Sequence, residues 1–238
     1  MELFEGIKAQ TYTLDEVVAH KVEMSEDFRP LVHFKKYLEK GYYPFALEDD
    51  YEEKLAAVVA KTLETDIPEY ANMNVSTGRK LKRLMAVIAE SAPFKPNMAT
   101  LAEVLGVSRN NVADYLLYVE KAGLIIQLRD RTGGVRSLGK VDKVYLENPN
   151  LIYTLAQKER AAVGNVRETF FINQLRVIGD PIVSPVSDFL VGERTFEVGG
   201  RNKKQRQIRG VENAFVVKDD IEYGGLNVVP LWQFGMLY

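Results

Sequence analysis

Several residue types are scarce or absent in this sequence, and each absence excludes a class of protein. The 238 residues contain no cysteine, which excludes disulfides and thiolate metal sites and fits a reducing compartment. The two histidines, His20 and His33, do not have the spacing of zinc ligands. No apolar run approaches the roughly 18 residues of a membrane span, and no charged-then-apolar leader is present. We therefore expect a soluble, cytoplasmic protein that does not contact a membrane.

Motifs for nucleotide and acyl chemistry are also missing. Nothing matches G-x-x-x-x-G-K-[ST], so the chain has no phosphate loop with which to hydrolyse ATP. The dinucleotide fingerprint and the serine-hydrolase elbow G-x-S-x-G are absent as well. We expect no cofactor in this chain, apart from Mg²⁺ if the carboxylate site considered below is active.

Charge is unevenly distributed along the chain, although the net charge is only −2. Residues 1–75 have a net charge of −8, residues 76–145 have +6, and residues 146–238 are balanced. Only the middle third therefore has the electrostatic character of a nucleic-acid binder. The alternative is that the acidic and basic thirds attract each other within the fold. With 46% hydrophobic residues, the chain can bury a sizeable core in one to three domains.

The first third predicts a helical segment, residues 1–75. Thr13 is placed to cap a helix over TLDEVVAHK, since acidic residues follow in its first turn. A second helix should begin with Pro30 and end at Gly41. A third, over DDYEEKLAAVVAKTLETD, should end before Pro68.

The middle third, residues 76–146, predicts a winged helix-turn-helix. Ser76 should cap a helix over STGRKLKRLMAVIAES, and a shorter helix should end at Gly106. After a two-residue turn, Ser108 should cap a second helix, followed by a hairpin of LIIQL and DKVYLEN. A helix, a helix, a turn, a helix and a hairpin are the order of this DNA-binding motif.

If this motif binds double-stranded DNA, the first turn after Ser108 meets base edges. Arg and Asn side chains suit guanine and adenine edges, and the residues there are Ser108, Arg109, Asn110 and Asn111. The wing supplies arginines that could follow phosphates, namely Arg129, Arg131 and Arg136. Alternatively, the motif serves only for packing or as a protein interface.

The last third, residues 147–238, predicts a small mixed sheet with flanking helices and a set of carboxylates. Glu168 on a helix, followed by Asp188 and Glu197 on strands, is the pattern of PD-(D/E)XK nucleases. In that chemistry Asp188 and Glu197 would hold a divalent metal such as Mg²⁺, which activates water. The lysine expected two residues after the second acid is replaced by Gly199, so Lys203 or Lys204 would have to reach back from a predicted helical turn over KKQRQIRG. This departure favours a degenerate site. The segment could instead approach a phosphate or be a solvated surface.

Taken in order, the segments YLEKGYYPF, LGVSRNNVADYLLYVEKAGLI, DKVYLENPNLIYTL, GNVRETFFINQL, TFEVGGRNKKQRQI and VVPLWQFGMLY look like a known family. The chain resembles, from about residue 11 to 238, the C-terminal part of prokaryotic AAA-type ATPases, especially Bacteroides-type members with the domain of unknown function 4143. The resemblance implies a helical segment, a winged helix and a PD-(D/E)XK-like domain. It also implies the nuclease-like residues Glu168, Asp188 and Glu197. The P-loop domain of that family is not in this sequence, so an ATPase domain in cis or in trans is an expected partner.

The sequence thus predicts an α+β protein with three units and leaves three functions open. The first is the DNA-binding, regulatory part of an AAA-type ATPase, without its own nucleotide site. The second is a divalent-metal nuclease of the PD-(D/E)XK type, and the third is a protein-interaction module that can form a homo-oligomer.

Overall fold

The computed structural model of the protein describes residues 10–130, 140–155 and 162–237. Seven helices precede the first described strand, and two more lie between the second and the third described strand. Their bounds are α1 Leu14–Val18, α2 Pro30–Lys40, α3 Tyr51–Lys61, α4 Ile67–Tyr70, α5 Val75–Ser91, α6 Met98–Leu105, α7 Arg109–Lys121, α8 Pro149–Leu155 and α9 Val163–Ile178. Two 3₁₀ segments cover Pro44–Leu47 and Leu231–Met236, and a π-helical stretch covers Thr62–Asp66. None of the described helices is long and apolar enough to cross a membrane.

The described strands form one mixed sheet: β1 Ile125–Arg129, β2 Val141–Leu146, β3 Ile182–Val183, β4 Phe189–Val191, β5 Arg194–Gly199, β6 Ala214–Lys218 and β7 Val228–Pro230. Their order across the sheet is β2-β1-β3-β4-β5-β6-β7. β1 pairs antiparallel with β2 and parallel with β3, and β4 runs antiparallel to both β3 and β5. β5, β6 and β7 are mutually parallel. The predicted α+β class is therefore confirmed, and the carboxyl ends of β1, β3, β5, β6 and β7 all lie at one edge of the sheet.

The helix ends of the first third are set by local capping. The Thr13 side chain accepts a hydrogen bond from the Glu16 backbone N–H, and the Glu16 carboxylate accepts one from the Thr13 N–H, which confirms the predicted cap. Pro30 begins α2 and Gly41 ends it, also as predicted. The predicted end before Pro68 is wrong, because the helical chain continues through the π-helical stretch into α4. Pro68 lies in the first turn of α4, where a missing N–H costs little.

Asparagine residues cap two helices of the middle third. Asn74, and not Ser76 as predicted, begins α5, because its side chain accepts a hydrogen bond from the Ser76 backbone N–H. Asn97 caps α6 in the same way. Between α5 and α6, the backbone of Phe94 exchanges two hydrogen bonds with Val144 of β2, so it extends the β1–β2 hairpin by one bridge.

One apolar core joins the helices to most of the sheet. At its centre the fully buried Phe171 of α9 contacts Phe189, Phe196 and Phe234. The predicted boundary between 76–146 and 147–238 is crossed by the sheet, since β1 pairs with β3 at Arg129. The prediction of a helical turn over KKQRQIRG is wrong, because residues 201–210 form turns and bends. The apolar segment VVPLWQFGM forms β7 and a 3₁₀ segment.

Candidate functional site

The first turn of α7 is an exposed polar surface on an otherwise well-anchored helix. Ser108, Arg109, Asn110 and Asn111 are all exposed. The Ser108 hydroxyl oxygen accepts a hydrogen bond from the Asn111 backbone N–H and donates to the Asn111 side chain, so the cap predicted for this helix is confirmed. The opposite face packs into the core through Val112, Leu116 and Val119. The structure therefore brings together the four residues predicted to meet DNA bases.

Of the three arginines predicted to lie on the wing, the structure describes only Arg129. Arg129 is only partly exposed, and its guanidinium lies 3.7 Å from the carboxylate of Glu120 on α7. The same carboxylate accepts hydrogen bonds from the backbone and the side chain of Gln127. Arg129 therefore ties β1 to α7. Arg131 and Arg136 lie outside the described residues.

Within the described part of the first third, residues 10–75, no acidic side chain forms an ion pair with Arg109. Glu64 pairs instead with Lys82 on α5, at 2.9 Å. Asp114, one turn further along α7, is itself exposed. Because a carboxylate repels phosphate, an anionic ligand would be confined to the first turn of the helix.

Two of the three predicted nuclease carboxylates, Glu168 and Asp188, lie near the buried Tyr145 hydroxyl. Glu168 of α9 accepts hydrogen bonds from the Tyr145 hydroxyl at 3.1 Å and the Lys143 ammonium at 3.2 Å. Burial raises the pKa of Tyr145 far above its ordinary value, and the nearby Glu168 carboxylate raises it further, so this hydroxyl stays protonated and donates. The Asp188 carboxylate accepts a hydrogen bond from the Val198 backbone N–H at 2.9 Å.

Glu197 lies under the chain that follows β5. It is 1% exposed, and the Lys203 ammonium approaches one of its oxygens at 3.0 Å. The other oxygen is buried and has no hydrogen-bond partner within the described part of the chain. Lys203 does reach back, as the sequence would require. Gly199 makes this possible, since a Cβ there would lie 2.6 Å from the Lys203 side chain.

The register of β4 and β5 separates Glu197 from Glu168 on α9. Phe189 pairs with Phe196, so Asp188 and Glu197 lie next to each other across the β4–β5 ladder. Phe196, however, contacts Phe171 on α9, and alternation along β5 directs Glu197 to the opposite face. Among the described residues, no three His, Asp or Glu side chains are grouped to hold a metal ion. Glu168, Asp188 and Glu197 therefore do not fit a three-carboxylate Mg²⁺ site.

A buried polar network, which sequence reasoning missed, connects the helical segment to the chain after β2. Glu147 is 1% exposed and accepts hydrogen bonds from Tyr42 and Asn173, and its carboxylate also pairs with Arg176. Asn150, also buried, donates to the Tyr51 hydroxyl at 2.6 Å. The signal was available: the polar residues of ENPN follow a buried strand directly. The network fixes α2 and α3 against α9.

Burial raises the pKa of the Glu147 carboxyl above its ordinary value, although the Arg176 guanidinium opposes this effect. A raised folded-state pKa stabilises the protein fully below the unfolded pKa, and this contribution is lost as the pH rises through the folded pKa. As the pH rises, we therefore expect the free energy of unfolding of wild type to decrease relative to that of Glu147→Gln. Between the unfolded-state and the folded-state pKa, each pH unit lowers it by about 1.4 kcal/mol. Urea unfolding across acidic pH measures this difference. Glu212→Gln, at an exposed position, is the control with a flat profile, and a flat profile for Glu147→Gln would contradict the prediction.

Comparison with known proteins gives one family. Residues 31–162 match the model of a family described as a domain of unknown function, DUF8612. The chain belongs to this family. The matched range includes the first turn of α7 and Glu147, and ends before Asn173 and Arg176 of the Glu147 network. It also ends before Glu168, Asp188 and Glu197. No curated protein and no solved structure matches the chain.

Proposed function

We propose that this DUF8612 family member is a double-stranded DNA-binding module that reads base edges with the first turn of α7. The observation that carries the proposal is the exposure of Ser108, Arg109, Asn110 and Asn111 at the start of a helix whose other face is buried. The cap of Ser108 holds the backbone of this turn in place. Base-reading side chains on a rigid helix lose little entropy on binding.

The surrounding elements support a winged helix-turn-helix interpretation. α5, the bridging residue Phe94, α6, α7 and the β1–β2 hairpin follow each other in the order that this motif requires. Gly106 adopts the left-handed conformation in the turn between α6 and α7. The two arginines of the wing outside the described residues remain part of the proposal as phosphate contacts.

The partner we propose is an AAA-type ATPase domain, in cis or in trans. The support is the sequence resemblance together with the order of a helical segment, a helix-turn-helix and a mixed sheet. In this arrangement the chain supplies DNA contacts, and the motor domain supplies nucleotide hydrolysis. No specific observation favours the nuclease alternative, because each predicted carboxylate is engaged by its own protein partner.

The DNA proposal predicts that Arg109→Ala combined with Asn110→Ala weakens binding at least about thirtyfold, because each of the two base-reading contacts contributes about 1–3 kcal/mol. The measurement selects short duplexes from a random-sequence pool with wild-type protein and then determines their affinity by fluorescence anisotropy. Arg29→Ala with Gln10→Ala is the matched control, since both positions are exposed and lie far along the chain from α7.

Two results would contradict the proposal. One is a wild-type protein that enriches no duplex and shifts none at low salt. The other is equal affinity of the α7 variant and the control. Salt-insensitive self-association in place of DNA binding would instead favour the protein-interaction function.

A further inference from the structure

Most of the chain between β5 and β6 is rich in positive charge and contains no acidic residue of its own. This segment, residues 200–211, is called the basic loop below, and it contains five cations and no carboxylate: Arg201, Lys203, Lys204, Arg206 and Arg209. Lys203 is used internally by Glu197. The other four side chains are exposed, and no ion pair among the described residues involves them. Four positive charges held this close repel one another, and an external anion would relieve that repulsion.

Internal anchors hold the basic loop against the sheet. Ile208 is buried and packs on Ala214 and Val216 of β6. The Gln205 side chain donates a hydrogen bond to Asn227 at 2.9 Å, and Lys203 reaches Glu197. Lys204, Arg206 and Arg209 therefore project from a fixed backbone. A surface that is already ordered pays less entropy on binding than a flexible basic tail.

The basic loop begins at the carboxyl end of β5, the end at which the chain also leaves β1. Because β5 and β6 are parallel, the loop then returns along the sheet to the amino end of β6. β1 and β5 are parallel members of one sheet, so Arg129 and Gly199 both lie at the carboxyl ends of their strands. Three strand spacings of roughly 14 Å in total separate the two strands, and the register places Arg129 at the level of Thr195, four residues before Gly199. The two strand ends are therefore about 20 Å apart. This distance lies within a single turn of duplex DNA, which is about 34 Å long.

Acidic groups lie on the far side of the basic loop from β1. The chain after β6 carries Asp219, Asp220 and Glu222, and Asp219 is paired with Arg167. These acids lower the positive potential beyond β6. Because these acids repel an anion, an elongated polyanion bound at the basic loop should extend towards β1 and not beyond β6.

We propose that the basic loop is a second contact surface for the phosphate backbone of duplex DNA. The inference rests on the proposed function, because it assumes that the chain binds a duplex. It adds a site that α7 does not contain, and it makes binding bipartite. The loop reads no sequence. Its contribution is to affinity and to the salt dependence of binding.

The experiment compares full-length wild type with the variant Lys204→Gln, Arg206→Gln, Arg209→Gln. Affinity for a labelled duplex is measured by anisotropy as the salt concentration is raised. Three lost phosphate contacts should reduce the slope of log K against log salt by about 2.7 and weaken binding at moderate salt by at least about tenfold. The matched control Lys21→Gln, Lys35→Gln, Lys61→Gln removes the same charge from exposed positions outside the basic loop and should leave the slope unchanged. Circular dichroism verifies that both variants are folded.

The outcomes separate this inference from the proposed function. Equal slopes for the loop variant and the control, with wild type binding DNA, overturn the basic-loop inference and leave the α7 proposal intact. A reduced slope for the loop variant, with no effect of Arg109→Ala and Asn110→Ala, supports the loop and overturns the α7 proposal. No binding by wild type overturns both.

Discussion

Replacing Gly41 by alanine is expected to destabilise the protein by about 4 kcal/mol, because the substitution combines backbone strain with a collision. Gly41 has φ +69° and ψ −144°, a conformation that is essentially restricted to glycine. A Cβ at this position would lie 2.3 Å from the side-chain nitrogen of Asn150. That nitrogen donates hydrogen bonds to Tyr51 and to the Lys40 carbonyl, so it cannot move away without leaving buried groups unpaired.

Gly106→Ala is the matched control for this prediction. Gly106 also has a positive φ, +62°, but a Cβ there would meet no atom within 4 Å. Only the strain of the left-handed conformation remains, which costs about 1 kcal/mol. Chemical denaturation of both variants measures the difference. Equal losses of stability would mean that the Asn150 network does not constrain the end of α2.

Removing the ammonium of Lys203 should be the second largest effect. In Lys203→Met, the carboxylate of Glu197 stays buried with neither oxygen paired, and we expect a loss of about 3 kcal/mol. In the Glu197→Gln background the same substitution should cost less than about 1 kcal/mol, since no buried charge is then left alone. The double-mutant cycle, measured by urea unfolding, gives the coupling energy of the pair.

Lys54→Met provides the comparison for this cycle. Lys54 pairs with Glu48 and Asp50, but all three side chains are largely exposed. Solvent screens ion pairs as exposed as these, so Lys54→Met should be nearly neutral. A loss for Lys203→Met that is as small as this, or a coupling energy near zero, would contradict the assignment of Lys203 as the counter-ion of Glu197.

Local signals predicted the elements whose ends depend on nearby residues. Thr13, Pro30, Gly41 and Ser108 mark helix ends in the structure as they do in the sequence. The prediction of a helix end before Pro68 failed because proline is tolerated in a first helical turn. The predicted cap at Ser76 failed because Asn74, two residues earlier, caps the helix and accepts a hydrogen bond from the Ser76 N–H. The helix over KKQRQIRG failed because Ile208 and Lys203 are drawn to the sheet.

Features that depend on distant strands could not be predicted. The sequence leaves the register of β4 and β5 open, and that register separates Glu197 from Tyr145 and Glu168. It also leaves open that β1 and β3 pair, which merges two predicted units into one sheet. The exposed first turn of α7 was predictable because a cap and a helix period determine it locally.

The pairing of β1 with β3 has a practical consequence for dissecting the protein into pieces. A fragment that stops after β2 would lose the neighbour of β1 and leave its backbone edge open to other chains. If such a fragment retained Glu147, the buried carboxylate would lose its partners Asn173 and Arg176. At the other extreme, the Tyr12 N–H donates to the Met236 carbonyl, so trimming either end breaks a bond that closes the chain on itself. The smallest piece suited to isolated study is the span from Tyr12 to Leu237.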